Sequence, residues 1–329
     1  MLTDMTVVDI SQQLPGPYAS ALLRQLGARV IKVEPKQGDP SRSLDPHMFA
    51  LVNAGKEIVK LDLKTSGGVE ALHDAVSGAD VFIEGFRPGV AARLGASWPV
   101  LSALNPRLIY CSISGTGQDG PYARTPMHDL NLQGLAGLDP GAGIGVPWVD
   151  LGTGTSVSLA IVASWHKATI TGEGTYLDAA MLDTAVLWGR VKASAHGRTE
   201  PTYGIFTTAD GLQIAIAILE DHIWTRLCQA LGWDDWLQAP DLERYADRVA
   251  ASTMIHERLL ETCLTLRADE LMALAQQHDL PLTPAGRSPG TVATAQLRAR
   301  ELDADSQRRL PLPFEAPHAA ASPRSRSSQ

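Results

Sequence analysis

Three positions carry side chains in settings suited to proton or acyl chemistry. Met127-His128-Asp129-Leu130 puts an imidazole beside a carboxylate, just after a proline-containing loop and at the start of a helical pattern. An imidazole titrates at about 6.5 and is well matched to general-base work at neutral pH. Adjacent residues on a helix point in different directions, so the two need not act as a dyad. The plainer reading has Asp129 capping a helix and His128 as a satisfied polar residue. Asp150 closes the apolar run Val146-Pro-Trp-Val and opens Leu151-Gly-Thr-Gly-Thr, ahead of a helical stretch from Ser156 to Lys167. A carboxylate there is often an N-cap. A strand end feeding a glycine-rich helix N-terminus would also present free N–H groups able to stabilise an enolate or oxyanion beside the acid. Glu220 ends a β-branched run and precedes Asp221-His222-Ile-Trp224, where starting a helix is the plain role for it.

Lys32, Lys36, Arg42, Lys56, Arg87 and Arg93 are scattered near loop positions, where solvation is the default for a long cation. They are also the available ligands for a phosphorylated substrate. Gly115-Thr-Gly117-Gln-Asp-Gly120 has the spacing of a dinucleotide fingerprint. Pro121 follows at once, however, and no amphipathic helix opens there, so the string reads as a tight turn. The three cysteines, Cys111, Cys228 and Cys263, have neither CxxC nor Cys/His spacing, which indicates neither a disulfide framework nor a zinc site and fits a reducing cytoplasm. A formal net charge of -8 without a basic cluster opposes nucleic-acid binding. No leader-like N-terminus and no long apolar run suggest secretion or membrane insertion.

The elements that would position these residues read as α/β. Thr6 to Ile10, Pro17 to Leu26 and Arg29 to Val33 form a strand, a helix and a strand bounded by Gly or Pro. Ile58 to Leu61, Gly68 to Val76, Asp80 to Ile83 and Leu108 to Ile113 continue the alternation, which predicts a parallel sheet with helices on both faces. From Thr155 to about Ala195 a long helical signal is broken at Thr171-Gly-Glu-Gly174, with a second helix starting at Leu177. Tyr203 to Thr208 and Leu212 to Ile218 flank Ala209-Asp-Gly211 as a hairpin, followed by helices at Asp221 to Leu231, Met254 to Leu264 and Asp269 to His278. The expected organisation is a large domain over 1–195, a smaller α+β domain over 200–290, and a return segment with a mobile tail over 291–329.

Taken in order, these segments resemble the class III CoA-transferase (CaiB/BaiF) and α-methylacyl-CoA racemase superfamily from about residue 5 to about 300. The resemblance rests on Val8-Asp-Ile-Ser, Pro15-Gly-Pro-Tyr18, Leu26-Gly-Ala-Arg-Val-Ile-Lys-Val-Glu34, Gly38-Asp-Pro40 and Gly55-Lys56 before Leu61-Asp-Leu-Lys64. It continues through Phe86-Arg-Pro-Gly89, Arg93-Leu-Gly95, Asn105-Pro-Arg-Leu-Ile-Tyr110, the Gly115–Pro121 loop, His128-Asp-Leu-Asn131, Asp150-Leu-Gly and Thr171-Gly-Glu-Gly174.

The resemblance implies a Rossmann-like large domain, a small domain and an interlaced homodimer whose active sites lie between the two domain types. The substrate would be a CoA thioester, with no prosthetic group and no metal. Lys36, Asn53, Lys56, Arg87 and Arg93 match the positions that hold the nucleotide and its phosphates. Asp150 matches the carboxylate shared by both chemistries of the superfamily, a nucleophile in the transferases and an acid/base in the racemases. His128 matches the racemases' second base and Glu220 an acidic residue of their small domain. On these three positions, and on Leu14 where formyl-CoA-type transferases tend to carry glutamine, the leading expectation is racemisation of a 2-methyl-branched or related acyl-CoA by α-proton abstraction and return. The alternative is a CoA transferase acting through an aspartyl intermediate at Asp150.

Overall fold

Residues 1–138, 146–191, 200–286 and 291–299 are described by the computed structural model. They fall into two units, the first over Met1–Val191 and the second beginning after it. The first unit follows the chain as β1 (Thr6–Asp9), α1 (Pro15–Gln25), β2 (Arg29–Glu34), α2 (Ser41–Leu44), α3 (Pro46–Asn53), β3 (Glu57–Lys60), α4 (Ser66–Ser77) and β4 (Val81–Glu84). It continues with α5 (Val90–Arg93), α6 (Trp98–Leu104), β5 (Ile109–Ser114), α7 (Asp129–Leu135), α8 (Trp148–Thr171), β6 (Thr175–Ala180) and α9 (Met181–Val191).

The six strands form one sheet in the order β3-β2-β1-β4-β5-β6, parallel throughout. Strand order reverses between β1 and β4, so the helical connections after these two strands leave on opposite faces and open a crevice at the carboxyl ends. Both faces are covered, which is why the strands read as near-continuous apolar runs. Alternate residues serve opposite layers: Val7, Val81 and Ile83 pack with Leu23 of α1 and Val157 and Ile161 of α8. Val8 and Phe82 pack with Leu72 and Val76 of α4 and Leu101 of α6. Each such fully buried side chain is worth about 1.5–3 kcal/mol of transfer free energy. The carboxyl edge is different, with Asp9, Lys32, Glu34 and Glu84 buried where the strands end.

α1 and α8 lie against each other so closely that a Cβ at Gly154 would fall 2.8 Å from the Pro15 carbonyl oxygen. The contact fixes the start of α8 against the start of α1. The segment after α8 departs from expectation. Gly172 ends the helix in the left-handed region, as the paired glycines suggest. Leu177, however, lies in β6, paired with Cys111, and the next helix begins at Met181. Leu177, Ala180 and Met181 have helical spacing, but β5 offers an open edge whose backbone groups β6 satisfies.

The second unit contains β7 (Tyr203–Thr207), β8 (Gln213–Ala217), α10 (Asp221–Leu231), α11 (Asp234–Leu237), α12 (Tyr245–Ala250), α13 (Ser252–Thr265), α14 (Ala268–His278), β9 (Leu282–Ala285) and α15 (Thr291–Ala299). β7 and β8 form the hairpin expected around Asp210-Gly211, and β9 pairs antiparallel with β8. Ile214, Ile216, Trp224, Trp233, Trp236 and Leu259 make its core. The expected return segment and tail from residue 300 onward lie outside the described residues. No helix among the described residues is long and apolar enough to cross a membrane.

Candidate active site

A cavity of about 260 Å³ opens at the carboxyl ends of β1, β4 and β5, at the reversal in strand order. Gln12, Gln13, Pro15 and Gly16 line it from the β1 side, Phe86 and Arg87 from β4, and Ser114 from β5, with Thr125, His128, Asp150 and Met181 completing the wall. Position in a doubly wound sheet thus puts the first two candidates, His128 and Asp150, in one space with Arg87.

Asp150 sits in the first turn of α8, not at a strand end. Its backbone N–H donates to Asp129 Oδ2 at 3.0 Å, and that of Val149 donates to the same oxygen at 2.7 Å. Asp129 is buried, and its other oxygen accepts from Gln133 Nε2. The helix N-terminus is therefore already capped by a carboxylate from another helix. This corrects the expectation of free N–H donors at a glycine-rich helix start after Asp150: the helix already begins at Trp148, Leu151 N–H bonds the Pro147 carbonyl, and Asp129, which the sequence suggests as a cap of its own helix, caps α8 across the fold. The side-chain oxygens of Asp150 have no hydrogen-bond partner among the described residues. Burial pushes its carboxyl up to about 7, and the nearby charge of Asp129 adds to the shift.

His128 occupies the N-cap position of α7, with its N–H donating to Asn131 Oδ1 at 3.1 Å. The residue is exposed and lines the cavity.

The nucleotide-binding candidates divide. Arg87 lines the cavity and also a second one of about 270 Å³ with Glu84, Trp98, Tyr110, Gln118 and Tyr176. Lys36 lines a third, of about 260 Å³, with Val33, Leu61, Lys64, Phe86 and Leu94, where its Nζ lies 3.4 Å from Asp62. Gln12 and Phe86 belong to both this space and the Asp150 cavity, so the two adjoin. Arg93 is exposed at the end of α5.

Lys56 and Asn53 are placed otherwise than expected. The Lys56 ammonium is fully enclosed, 3.3 Å from Asp9 Oδ2, and donates to the Pro17 carbonyl at 2.8 Å, Ser20 Oγ at 2.7 Å and Asn53 Oδ1 at 2.9 Å. Asn53 spends its N–H on the Phe49 carbonyl at 3.0 Å. Burial lowers the Lys56 ammonium to about 8 against the opposing pull of Asp9. In this structure these two side chains tie α1 and α3 to the end of β1 and present no donor to a phosphate. Glu220 belongs to the second unit, exposed at the N-cap position of α10.

The Gly115–Gly120 string is a turn, with Gly117 at φ +88° and Gly120 at φ +92°. Ser114 Oγ accepts from Gly117 N–H at 3.0 Å and Asp178 from Gln118 N–H at 3.1 Å. Two lining residues, Gln12 and Gln13, went unread in the sequence. Polar residues after a first strand give no periodic signal that separates a wall residue from a solvated one.

A doubly wound parallel sheet with a carboxylate at its crevice that has no side-chain hydrogen-bond partner among the described residues has the layout of an α/β enzyme whose site lies at the carboxyl ends of the strands. The chain belongs to CoA-transferase family III, whose family profile matches residues 2–327. It is 33% identical to the succinate–glutarate CoA-transferase of Agrobacterium fabrum, over 92% of this chain and 84% of that one. It is 30% identical to the acetyl-CoA:oxalate CoA-transferase of Acetobacter aceti, over 85% and 79%. Among solved structures it resembles a CaiB/BaiF family protein from Brucella suis, with a TM-score of 0.76, 28% identity and coverage of 95% of this chain and 92% of that one. It also resembles the Mycobacterium tuberculosis protein Rv3272, with a TM-score of 0.80, 28% identity and coverage of 91% and 86%. The resemblance read from the sequence is thus the right family, and the chemistry is that of CoA thioesters. The named relatives are transferases, which favours the alternative over racemisation.

Proposed function

We propose that this protein transfers CoA between carboxylic acids, with Asp150 as the nucleophile. The observation that carries this reading is a carboxylate in the crevice whose two oxygens are unengaged and whose basicity is raised by burial. Such a group is well prepared to attack a thioester carbonyl. In the first step the Asp150 carboxylate adds to the acyl carbon and expels CoA thiolate, leaving an acyl-aspartyl anhydride. The thiolate then attacks the aspartyl carbonyl, releasing the first acid and leaving aspartyl-CoA. A second carboxylate attacks that thioester and expels CoA thiolate, which attacks the acyl side of the new anhydride and restores Asp150. Every step exchanges one acyl bond for another, so no oxidant or net proton source is required. The relatives' names point to dicarboxylic acids such as succinate, glutarate and oxalate as the acids exchanged.

Arg87, which lines the Asp150 cavity, and Lys36, which lines its neighbour, would bind the diphosphate and nucleotide of CoA, with Arg93 following Arg87 on the connection from β4 to β5. Pairing of two copies is part of the same reading. Leu187, Trp188 and Val191 of α9 and Leu159 and Ile170 of α8 are exposed, an apolar surface suited to a second copy. Glu220 would then act from the small domain of the partner.

The test is chemical trapping. Hydroxylamine or borohydride should modify Asp150 only while an acyl-CoA is present; an Asp150 left unmodified during turnover would sink the nucleophile. One observation favours the second reading, racemisation: His128 shares the Asp150 cavity, giving two groups for a proton's departure and return. Deuterium appearing at Cα of 2-methylacyl-CoA, dependent on His128, would support it. The capped N–H groups of Val149 and Asp150 count against it, since an enolate there lacks those donors.

A further inference from the structure

We propose that Gln13 selects the acyl group, its carboxamide donating to the distal carboxylate of a dicarboxylic acyl chain whose thioester end lies at Asp150. The inference rests on the transferase reading and adds to it a residue that confers the choice of acid.

Two non-glycine residues among the described ones have left-handed backbone, Gln13 at φ +64° and Asp279 at φ +52°. Asp279 ends α14 as its C-cap, a place where such a φ is ordinary. Gln13 ends no helix. A turn needing only that φ would be served better by Gly or Asn, so a glutamine there directs attention to its side chain. Gln13 is exposed and lines the Asp150 cavity, and its carboxamide has no hydrogen-bond partner among the described residues. Gln12 also lines the adjoining space with Lys36, on the path assigned to CoA, whereas Gln13 lines the Asp150 cavity alone of the two.

The backbone around it is held from beneath. Gln13 N–H approaches Asp39 Oδ1 at 3.4 Å, and that oxygen also accepts from Ser41 N–H at 2.9 Å and Ser41 Oγ at 2.7 Å. Asp39 Oδ2 lies 3.1 Å from Lys32 Nζ, both side chains fully buried, and Lys32 donates to the Ser11 carbonyl. One buried ion pair thus touches the chain on each side of Gln12. Asp39 and Lys32 are positioning residues here, keeping a strained residue in one conformation. Around the cavity Asp150 is the one carboxylate among the lining residues, while Gln12, Gln13, Arg87 and His128 offer donors. An acyl chain ending in a second carboxylate finds a partner there; one ending in methyl leaves the amide unpaired.

The experiment compares glutaryl-CoA with pentanoyl-CoA as donors to one common acceptor, and reads the ratio of kcat/KM. Gln13→Gly keeps the backbone conformation and removes the amide; it should lower the ratio by roughly 10-fold or more, the loss expected for a hydrogen bond to a charged group. Gln13→Glu, which sets a carboxylate against the distal carboxylate, should lower it further. A wild type that transfers both acyl groups, with a ratio unaltered in Gln13→Gly and Gln13→Glu, would overturn the role of Gln13 and leave the transferase intact. A wild type that neither transfers CoA nor labels Asp150 would remove the transferase reading and this inference together.

Discussion

Asp150 and Asp129 show how two carboxylates one turn apart in space take different work. Asp129 is consumed by Val149, Asp150 and Gln133 as a helix cap, while Asp150 keeps its oxygens free and is held up to about 7 by burial and by Asp129. Attack on a thioester needs the ionised form, so the rate of Asp150 acylation should fall about tenfold per pH unit below about 7. The linkage to stability runs the other way. The folded-state pKa lies above the unfolded one, so the contribution of Asp150 to stability is present in acid and is lost as pH rises through about 7. Allowing for its partial exposure, Asp150→Asn should be more stable than wild type at pH about 8 by roughly 1–2 kcal/mol, and no more stable at pH about 4, in denaturant titrations. Asp129→Asn keeps an oxygen for the two N–H groups but removes the charge. Its acid limb for Asp150 acylation should move to lower pH than that of wild type, and an unmoved limb would show the charge to be without effect.

Among the elements, β1 carries a burden its apolar pattern hides, because Asp9 at its end is buried beside Lys56. Removing Lys56 takes one of two buried cations from Asp9, leaving Lys32, Ser11 and Ser20 to hold its charge, so the cost lies below the roughly 3–5 kcal/mol of a fully broken buried pair. Lys56→Met should therefore lower the unfolding midpoint while leaving KM for acyl-CoA in the folded fraction unchanged; a raised KM with unchanged stability would restore Lys56 to the phosphate. The alternation of β-branched runs and amphipathic helices was readable, since a sheet covered on both faces leaves an apolar record of each strand. Burial of a polar side chain leaves no such record. Lys56 reads like Lys36, yet one is enclosed and the other exposed, because the difference comes from how α1 and α3 meet the sheet. The start of α8 is hidden for a related reason. Val146-Pro-Trp-Val suggests a strand by its residues, and only the long-range cap from Asp129 makes Trp148 helical. The sequence of β6 is ambiguous because two alanines and a methionine fit either period, and its pairing with β5 decides it. Gln13 had no legible signal, since a left-handed glutamine depends on the buried pair beneath it.

For the whole molecule, the proposed pairing of copies makes activity depend on association. Replacing Leu187 and Trp188 of α9 with aspartate should yield a monomer by light scattering that retains its far-ultraviolet spectrum and loses most CoA transfer. A fully active monomer would show that one chain suffices. The Asp129 cap has a further consequence, for change over evolution and by design. The nucleophile's position is anchored by a contact between α7 and α8, so it does not have to be transmitted through the intervening chain. Other residues of the cavity wall can therefore be exchanged while Asp129 keeps Asp150 in register with the sheet. The wall that receives a substrate can thus be redesigned without moving the group that would attack it.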